Sequence, residues 1–220
     1  MTPLSIFDFD RTITRKGTYT PWLIFWARRE APWRLALLPV AVLYGLGYFC
    51  RLVSRGRLKE LNQSLLMGRS VPLARVAAVA EAYAAQVCQR NVFAGALDRL
   101  AIERAEGRRI VLATASFAFY VEAIAARLGI ADVIATRSVI EGDRLVARID
   151  GENCYEFGKL RMIQAWIVAH GLDGAPARFF SDHVSDLPVF DLVDERIATT
   201  PSPALRAVAV ERGWEVIDWT

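Results

Sequence analysis

From Arg109 onward, short apolar runs alternate with stretches of helical spacing. IVLAT reads as a strand, Phe117 to Leu128 as a helix, DVIAT as a strand, and Glu141-Gly142-Asp143 as the turn of a hairpin. A helix from Tyr155 to Ala169, the strand ARFFS, a short helix, the strand RIATT and a helix opened by Pro203 complete the series. Leu4 to Phe9 is a further apolar run, ending among acids. Uninterrupted apolar strands are those buried on both faces, and their alternation with helices predicts an α/β fold. The expected architecture is a Rossmann-like three-layer sandwich with a parallel sheet, whose ligands bind beyond the carboxyl ends of the strands.

Residues from about Pro21 to Arg90 break the alternation. They hold no convincing strand and several helical stretches, VPLARVAAVAEAYAAQVCQR among them. The predicted organisation is therefore a core of residues 1–16 and 91–220 with an all-helical cap, residues 17–90, inserted over the carboxyl edge of the sheet. The chain has 220 residues, 54% hydrophobic and 23% charged, which excludes a disordered segment. A net charge of +3 excludes a polybasic nucleic-acid binder, so no nucleic-acid partner is expected.

Leu35 to Cys50, LALLPVAVLYGLGYFC, carries no charge and lies between Arg28, Arg29 and Arg34 on one side and Arg51, Arg55, Arg57 and Lys59 on the other. It falls short of the roughly 20 residues of a spanning helix. Two readings stay open: a buried helix or helical hairpin, and a helix lying in a membrane interface with its cations on anionic headgroups. The start MTPLSIFDFD has no basic region and reaches acids early, unlike a signal peptide, so a cytoplasmic location is expected. Cys50, Cys88 and Cys154 share no ligand spacing and are expected to be free, buried thiols. With only His170 and His183 as imidazoles, a transition-metal centre is not expected.

Polar residues gather at the predicted strand ends. Asp8 and Asp10 close the first strand in FDFDRT, where a spacing of two places both carboxylates on one side of an extended backbone. Thr114 ends the second strand and is followed by Ala115 and Ser116, small enough to let an anion approach the next backbone amides. Lys159 falls in the first turn of a helix, where the dipole disfavours a cation. Asp182 and Asp186 follow ARFFS. Carboxylates, a hydroxyl and one lysine form the inventory for holding Mg2+ and a phosphate.

In this order FDFDRT, Thr114, Lys159 and SDHVSD resemble the four motifs of the haloacid dehalogenase superfamily of phosphohydrolases, over essentially the whole chain. The helical insertion is similar to the cap of the branch that includes phosphoserine phosphatase. The resemblance implies a Mg2+-dependent hydrolase of phosphate esters. Asp8 would be the nucleophile, forming an aspartyl-phosphate. Asp10 would be general acid and base, with its backbone carbonyl on the metal, and Asp8 and Asp182 would supply metal carboxylates. Thr114, Ala115 and Lys159 would bind the phosphoryl group, and Asp186 would orient Lys159 or a metal-bound water. His183 would face the site or pack beside it.

Departures from the family pattern bear on the substrate. Arg11 stands where many members have Gly, and Ser181 opens the fourth motif in place of Gly. Phosphoserine phosphatases carry a substrate-binding Glu seven residues beyond the second Asp, where this chain has Gly17. The cap instead presents Trp22, Phe25, Trp26, Trp33 and the apolar run among arginines, similar in character to bacterial phosphatidylglycerophosphatase of the same superfamily. An amphiphilic or lipid phosphate ester is expected, with lipid contact through the cap. The alternatives are a soluble phosphate such as phosphoserine or a sugar phosphate, a phospho-acceptor receiver, and a membrane-anchored scaffold. A receiver has no cap, and the intact set of motif residues opposes a relic scaffold.

Overall fold

The computed structural model describes residues 2–219. After β1 (Leu4–Phe7) come the helices α1 (Tyr19–Glu30), α2 (Leu38–Phe49) and α3 (Arg55–Leu66), the strand β2 (Ser70–Pro72), then α4 (Leu73–Arg90) and α5 (Ala94–Ala105). The alternating part comprises β3 (Arg109–Phe117), α6 (Ala118–Arg127), β4 (Asp132–Glu141), β5 (Arg144–Asp150) and α7 (Phe157–Ala169), followed by β6 (Ala177–Ser181), α8 (Leu187–Phe190), β7 (Glu195–Thr199), α9 (Pro203–Glu211) and β8 (Glu215–Ile217). The strands form one sheet in the order β2-β5-β4-β3-β1-β6-β7-β8. From β4 to β8 in that order they run parallel, while β5 returns antiparallel on β4 and β2 pairs antiparallel with β5. The fold is the expected α/β class with a mostly parallel sheet.

The two-residue period of the strands divides the core. Leu4 and Ile6 join Val111, Ala113 and Phe179 in one apolar cluster with residues of α7, α8 and α9, such as Ile163, Phe190 and Leu205. Phe7 joins Ile110, Leu112 and Phe180 in the other, with α4, α5 and α6. Phe7 and Phe180 stack on that second face with ring centroids 4.1 Å apart. With β1 between β3 and β6, the carboxyl ends of all three strands open on one edge.

Several details differ from the sequence expectations. β2 lies inside the stretch expected to be strand-free. Three residues are too few to show an alternating pattern, and Pro72 is tolerated there because β2 is at the edge of the sheet. Trp22 and Trp26, expected among the groups the cap offers to a ligand, are fully buried. Trp22 stacks on Tyr120 and meets Tyr83 edge-on, so it joins α1 to α4 and α6. The helix expected from Tyr155 begins two residues later, after Glu156 in a left-handed conformation. Cys154 is buried as expected, but Cys88 is half-buried and Cys50 exposed; all three are free. Nor does the protein bury the Leu35 to Cys50 run: α2 and the 3-10 turn over Pro32–Leu37 that precedes it contain no buried residue. Pro39 sits in the first turn of α2, where its missing N–H breaks no helical bond.

Candidate active site

β1 ends at Phe7, and the parallel ladder with β6 carries one step further, with Asp8 N donating to Phe180 O at 2.9 Å. This fixes the Asp8 backbone while its side chain leaves the sheet. Asp8 Oδ1 accepts from Lys159 Nζ at 2.8 Å and Oδ2 from Thr12 Oγ1 at 3.2 Å. Lys159 donates also to Asp186 Oδ2 at 2.7 Å, and the same oxygen receives Ser181 Oγ at 2.7 Å. Ser181, a departure from the family pattern, thus has a defined partner.

Lys159 is placed from the first turn of α7 by a tight approach. A Cβ on Gly158 would lie 2.5 Å from the carbonyl oxygen of Asn153, so the loop and the helix start fit together only with glycine there. Thr114 is buried within β3, three residues before the strand's end rather than at it, where the ladder with β4 begins to shift register, and it accepts from Ser116 N at 3.0 Å. Asp10 has partners of its own. Its Oδ1 accepts from both N and Oγ1 of Thr18 at 2.7 Å, and its Oδ2 from Ser116 Oγ at 2.6 Å. The two acids of FDFDRT therefore serve different hydrogen-bond sets rather than forming a pair on one extended strand.

The site residues expected from the sequence, Asp8, Asp10, Thr114, Ala115, Lys159, Asp182 and Asp186, all line one cavity of about 580 Å³. His183 also borders it, with Nδ1 accepting from Ser185 N at 3.2 Å. Gly17, Thr18 and Tyr19 around the start of α1, and Arg55 at the start of α3, also line it.

Electrostatically the cavity carries too many acids for its cations. Asp8, Asp182 and Asp186 are buried around the single ammonium of Lys159. Burial pushes the Asp8 carboxyl up to about 6 against the pull of Lys159. Burial, reinforced by the charges of Asp8 and Asp186, pushes Asp182 up to about 7. Burial works against the charge on Lys159 as well, but Asp186 and Asp8 prevail and hold its proton more firmly than usual. Asp186 Oδ1 is buried with no hydrogen-bond partner among the described residues.

Such a donor set suits a small hard cation. No group of three or more His, Cys, Asp or Glu side chains is arranged for a metal among the described residues. Mg2+ does not require one, since it binds through one or two carboxylates and keeps several waters. Asp8 and Asp182, both raised chiefly by burial, are the carboxylates that fit it.

Sequence reasoning missed Thr18, Ser116 as an Asp10 partner, Arg55 and Lys59. Lys59 is 7% exposed on α3, and its Nζ donates to Ala115 O at 2.6 Å and to Asn153 Oδ1 at 2.7 Å. Burial first, and then the nearby charge of Arg55, lower its proton affinity to about 7. The available signal was the spacing of Lys59, Gln63 and Leu66, which puts a lysine on the buried face of α3.

Residues 6–191 match the haloacid dehalogenase-like hydrolases. The chain belongs to this family. The phosphoserine phosphatase SerB1 of Mycobacterium tuberculosis is 28% identical over 167 residues, covering 76% of this chain and 53% of that protein. The chain spans about half the length of the curated relatives it matches. A crystal structure of a protein of unknown function from Bordetella pertussis Tohama I is 29% identical, covers 99% of both chains and superposes with a TM-score of 0.90. A phospho-aspartyl intermediate analogue of phosphoserine phosphatase shares the fold at 17% identity, with a TM-score of 0.64 over 99% of this chain and 93% of the other.

Proposed function

We propose that this hydrolase is a Mg2+-dependent phosphomonoesterase working through an aspartyl-phosphate on Asp8. The observation that carries the reading is Asp8 itself: a buried carboxylate at the end of the central strand, with one oxygen on Lys159 and the other held by Thr12 alone. In the first half-reaction an Asp8 oxygen bonds to phosphorus as the ester P–O bond breaks, and Asp10 gives its proton to the leaving oxygen. In the second, Asp10 takes a proton from water, whose oxygen attacks phosphorus and releases Asp8 and inorganic phosphate. The hydroxyls of Thr18 and Ser116 can turn from donor to acceptor, so the same partners hold Asp10 in both states.

Thr114, the Ala115 backbone and Lys159 hold the phosphoryl oxygens, and Asp186 keeps Lys159 aimed at Asp8. Asp8, Asp182 and the Asp10 carbonyl would hold Mg2+, which supplies positive charge at the phosphoryl oxygens when bound. For the leaving group we favour an amphiphilic or lipid alcohol, handled on the cytoplasmic side of the membrane. Space for more than phosphate is present, because nothing lies within 4 Å of where a Cβ of Gly17 would be and Arg55 stands at the same wall. A substrate amino group finds no carboxylate at position 17, which disfavours phosphoserine among the soluble alternatives.

Asp8→Asn removes the nucleophile while keeping the side-chain shape. It should abolish Mg2+-dependent hydrolysis of p-nitrophenyl phosphate, at least about a thousandfold, with an unchanged circular dichroism spectrum. Retained activity would dismiss Asp8. Phosphate release from phosphatidylglycerophosphate, lysophosphatidate, phosphoserine and sugar phosphates then ranks the leaving groups, and a preference for the soluble esters would overturn the amphiphile.

A further inference from the structure

We infer that the arm formed by the Pro32–Leu37 turn and α2 is a docking surface for an anionic lipid bilayer, lying in the interface rather than spanning it. Over Pro32–Phe49 the mean hydropathy is 1.2 and none of the stretch is buried. Val42, Leu43, Leu46 and Phe49 are 64%, 63%, 55% and 84% exposed. Their spacing places them on one helical face, and Leu52 at the tip is 82% exposed. Water meets an apolar face here that the rest of the molecule does not cover.

Charge identifies what covers it. Residues 31–59 contain Arg34, Arg51, Arg55, Arg57 and Lys59 and not one acid. Arg57 is paired with Glu60 and Lys59 is buried, but Arg51 and Arg55, like Arg28 and Arg29 just before the arm, have no acidic partner among the described residues. Cations rimming an apolar helix face match a bilayer with anionic headgroups, the acyl boundary taking the side chains and the phosphates the guanidinium groups. A second copy of the chain fits less well, since symmetric contact across this face brings the same unpaired arginines together. α2 itself has 12 residues, which at 1.5 Å per residue reach only about 18 Å, short of the roughly 30 Å hydrocarbon core. α2 also packs along α3, which holds it beside the rest of the molecule.

The position has a consequence for the site. The apolar tip at Phe49 to Leu52 runs directly into α3, whose first residue, Arg55, lines the catalytic cavity. Docking therefore brings the mouth of that cavity to the lipid surface, where a membrane-held phosphate ester would enter it. Delivery of substrate rests on the phosphatase reading; docking itself does not.

Flotation of the full chain with vesicles of phosphatidylglycerol and phosphatidylcholine, against phosphatidylcholine alone, tests the inference. The wild type should float with the anionic vesicles and detach as salt is raised. Leu46→Glu and Phe49→Glu should each weaken the partition about tenfold or more. Both side chains are solvent-facing, so hydrolysis of soluble p-nitrophenyl phosphate should be unchanged and reports that the variants fold. No flotation by the wild type, or equal flotation by the variants, overturns docking. So does a dimer dispersed by the same substitutions without vesicle binding, which assigns the arm to a second copy. Flotation by a chain that hydrolyses no phosphate ester upholds docking and removes the phosphatase reading.

Discussion

Asp8 and Asp182 are held above the ordinary carboxylate value of 3.8, at about 6 and about 7, chiefly because both are buried. Without a metal the folded protein binds protons at these sites more tightly than the unfolded chain does, so stability from them is present at low pH and is lost as pH rises from 3.8 to about 7. A cation bound there, as proposed, would take the place of those protons. Thermal melting at pH 5 to 8 should therefore show a Mg2+-induced rise that grows with pH, each displaced proton adding about 1.4 kcal/mol per pH unit. A Mg2+ effect that is flat across this range would remove Asp8 and Asp182 as ligands. These two acids could be picked from the sequence because each directly follows an apolar strand. Thr18 and Ser116 could not be matched to Asp10, since the Asp10 and Ser116 partners lie 106 positions apart and meet only once β1 and β3 are paired side by side.

Among the elements, α5 is fixed to the sheet by a polar contact that hydrophobic patterning hides. Glu103 is fully buried near the amino ends of the strands. It accepts from the Ser5 hydroxyl of β1 and forms ion pairs with Arg99 at 2.6 Å, Arg108 at 3.2 Å and Arg178 at 3.0 Å. Glu103→Ala leaves three arginines around an unfilled space and should lower the unfolding free energy by about 3 kcal/mol or more, read by urea denaturation. Activity per folded molecule should persist, because the cluster lies at the opposite strand ends from Asp8. A loss below about 0.5 kcal/mol, typical of a surface change, would contradict this role. The strands β1, β3, β4, β6 and β7 followed from apolar runs and β5 from the hairpin turn, whereas their order in the sheet and the three-residue β8 were not expected from the sequence. Nor was β2, because its three residues are defined by pairing with β5 alone. α2 could be recognised as apolar, but composition does not say how deeply it packs: it lies along α3 with no residue fully buried.

At the scale of the whole molecule, the helices between β1 and β3 meet the rest of the fold at two kinds of seam. One is aromatic, with Trp22 stacked on Tyr120 and touching Tyr83 and Phe119. The other is polar and centres on Lys59, which reaches from α3 to Ala115 O, beside the proposed phosphate-binding position, and to Asn153 on the loop before α7. Thr136 donates to the same two oxygens, so Lys59 joins the cap to a network the core already holds. Removing this amine should loosen the seam without emptying the core. Lys59→Met is therefore expected to lower kcat/KM for p-nitrophenyl phosphate about tenfold. The titration of Lys59 provides a second, independent readout. In the folded protein burial and Arg55 lower its proton affinity from 10.5 to about 7, so between these values the unfolded chain carries a proton that the folded one has released. Stability attributable to Lys59 thus rises with pH across that window, and below it the cost of the buried charge is fully present. Relative to Lys59→Met, the wild type should gain unfolding free energy steadily in urea titrations from pH 7 to pH 9. Parallel pH profiles for the two proteins would mean that Lys59 titrates as an ordinary exposed lysine, and that the polar seam is open in solution.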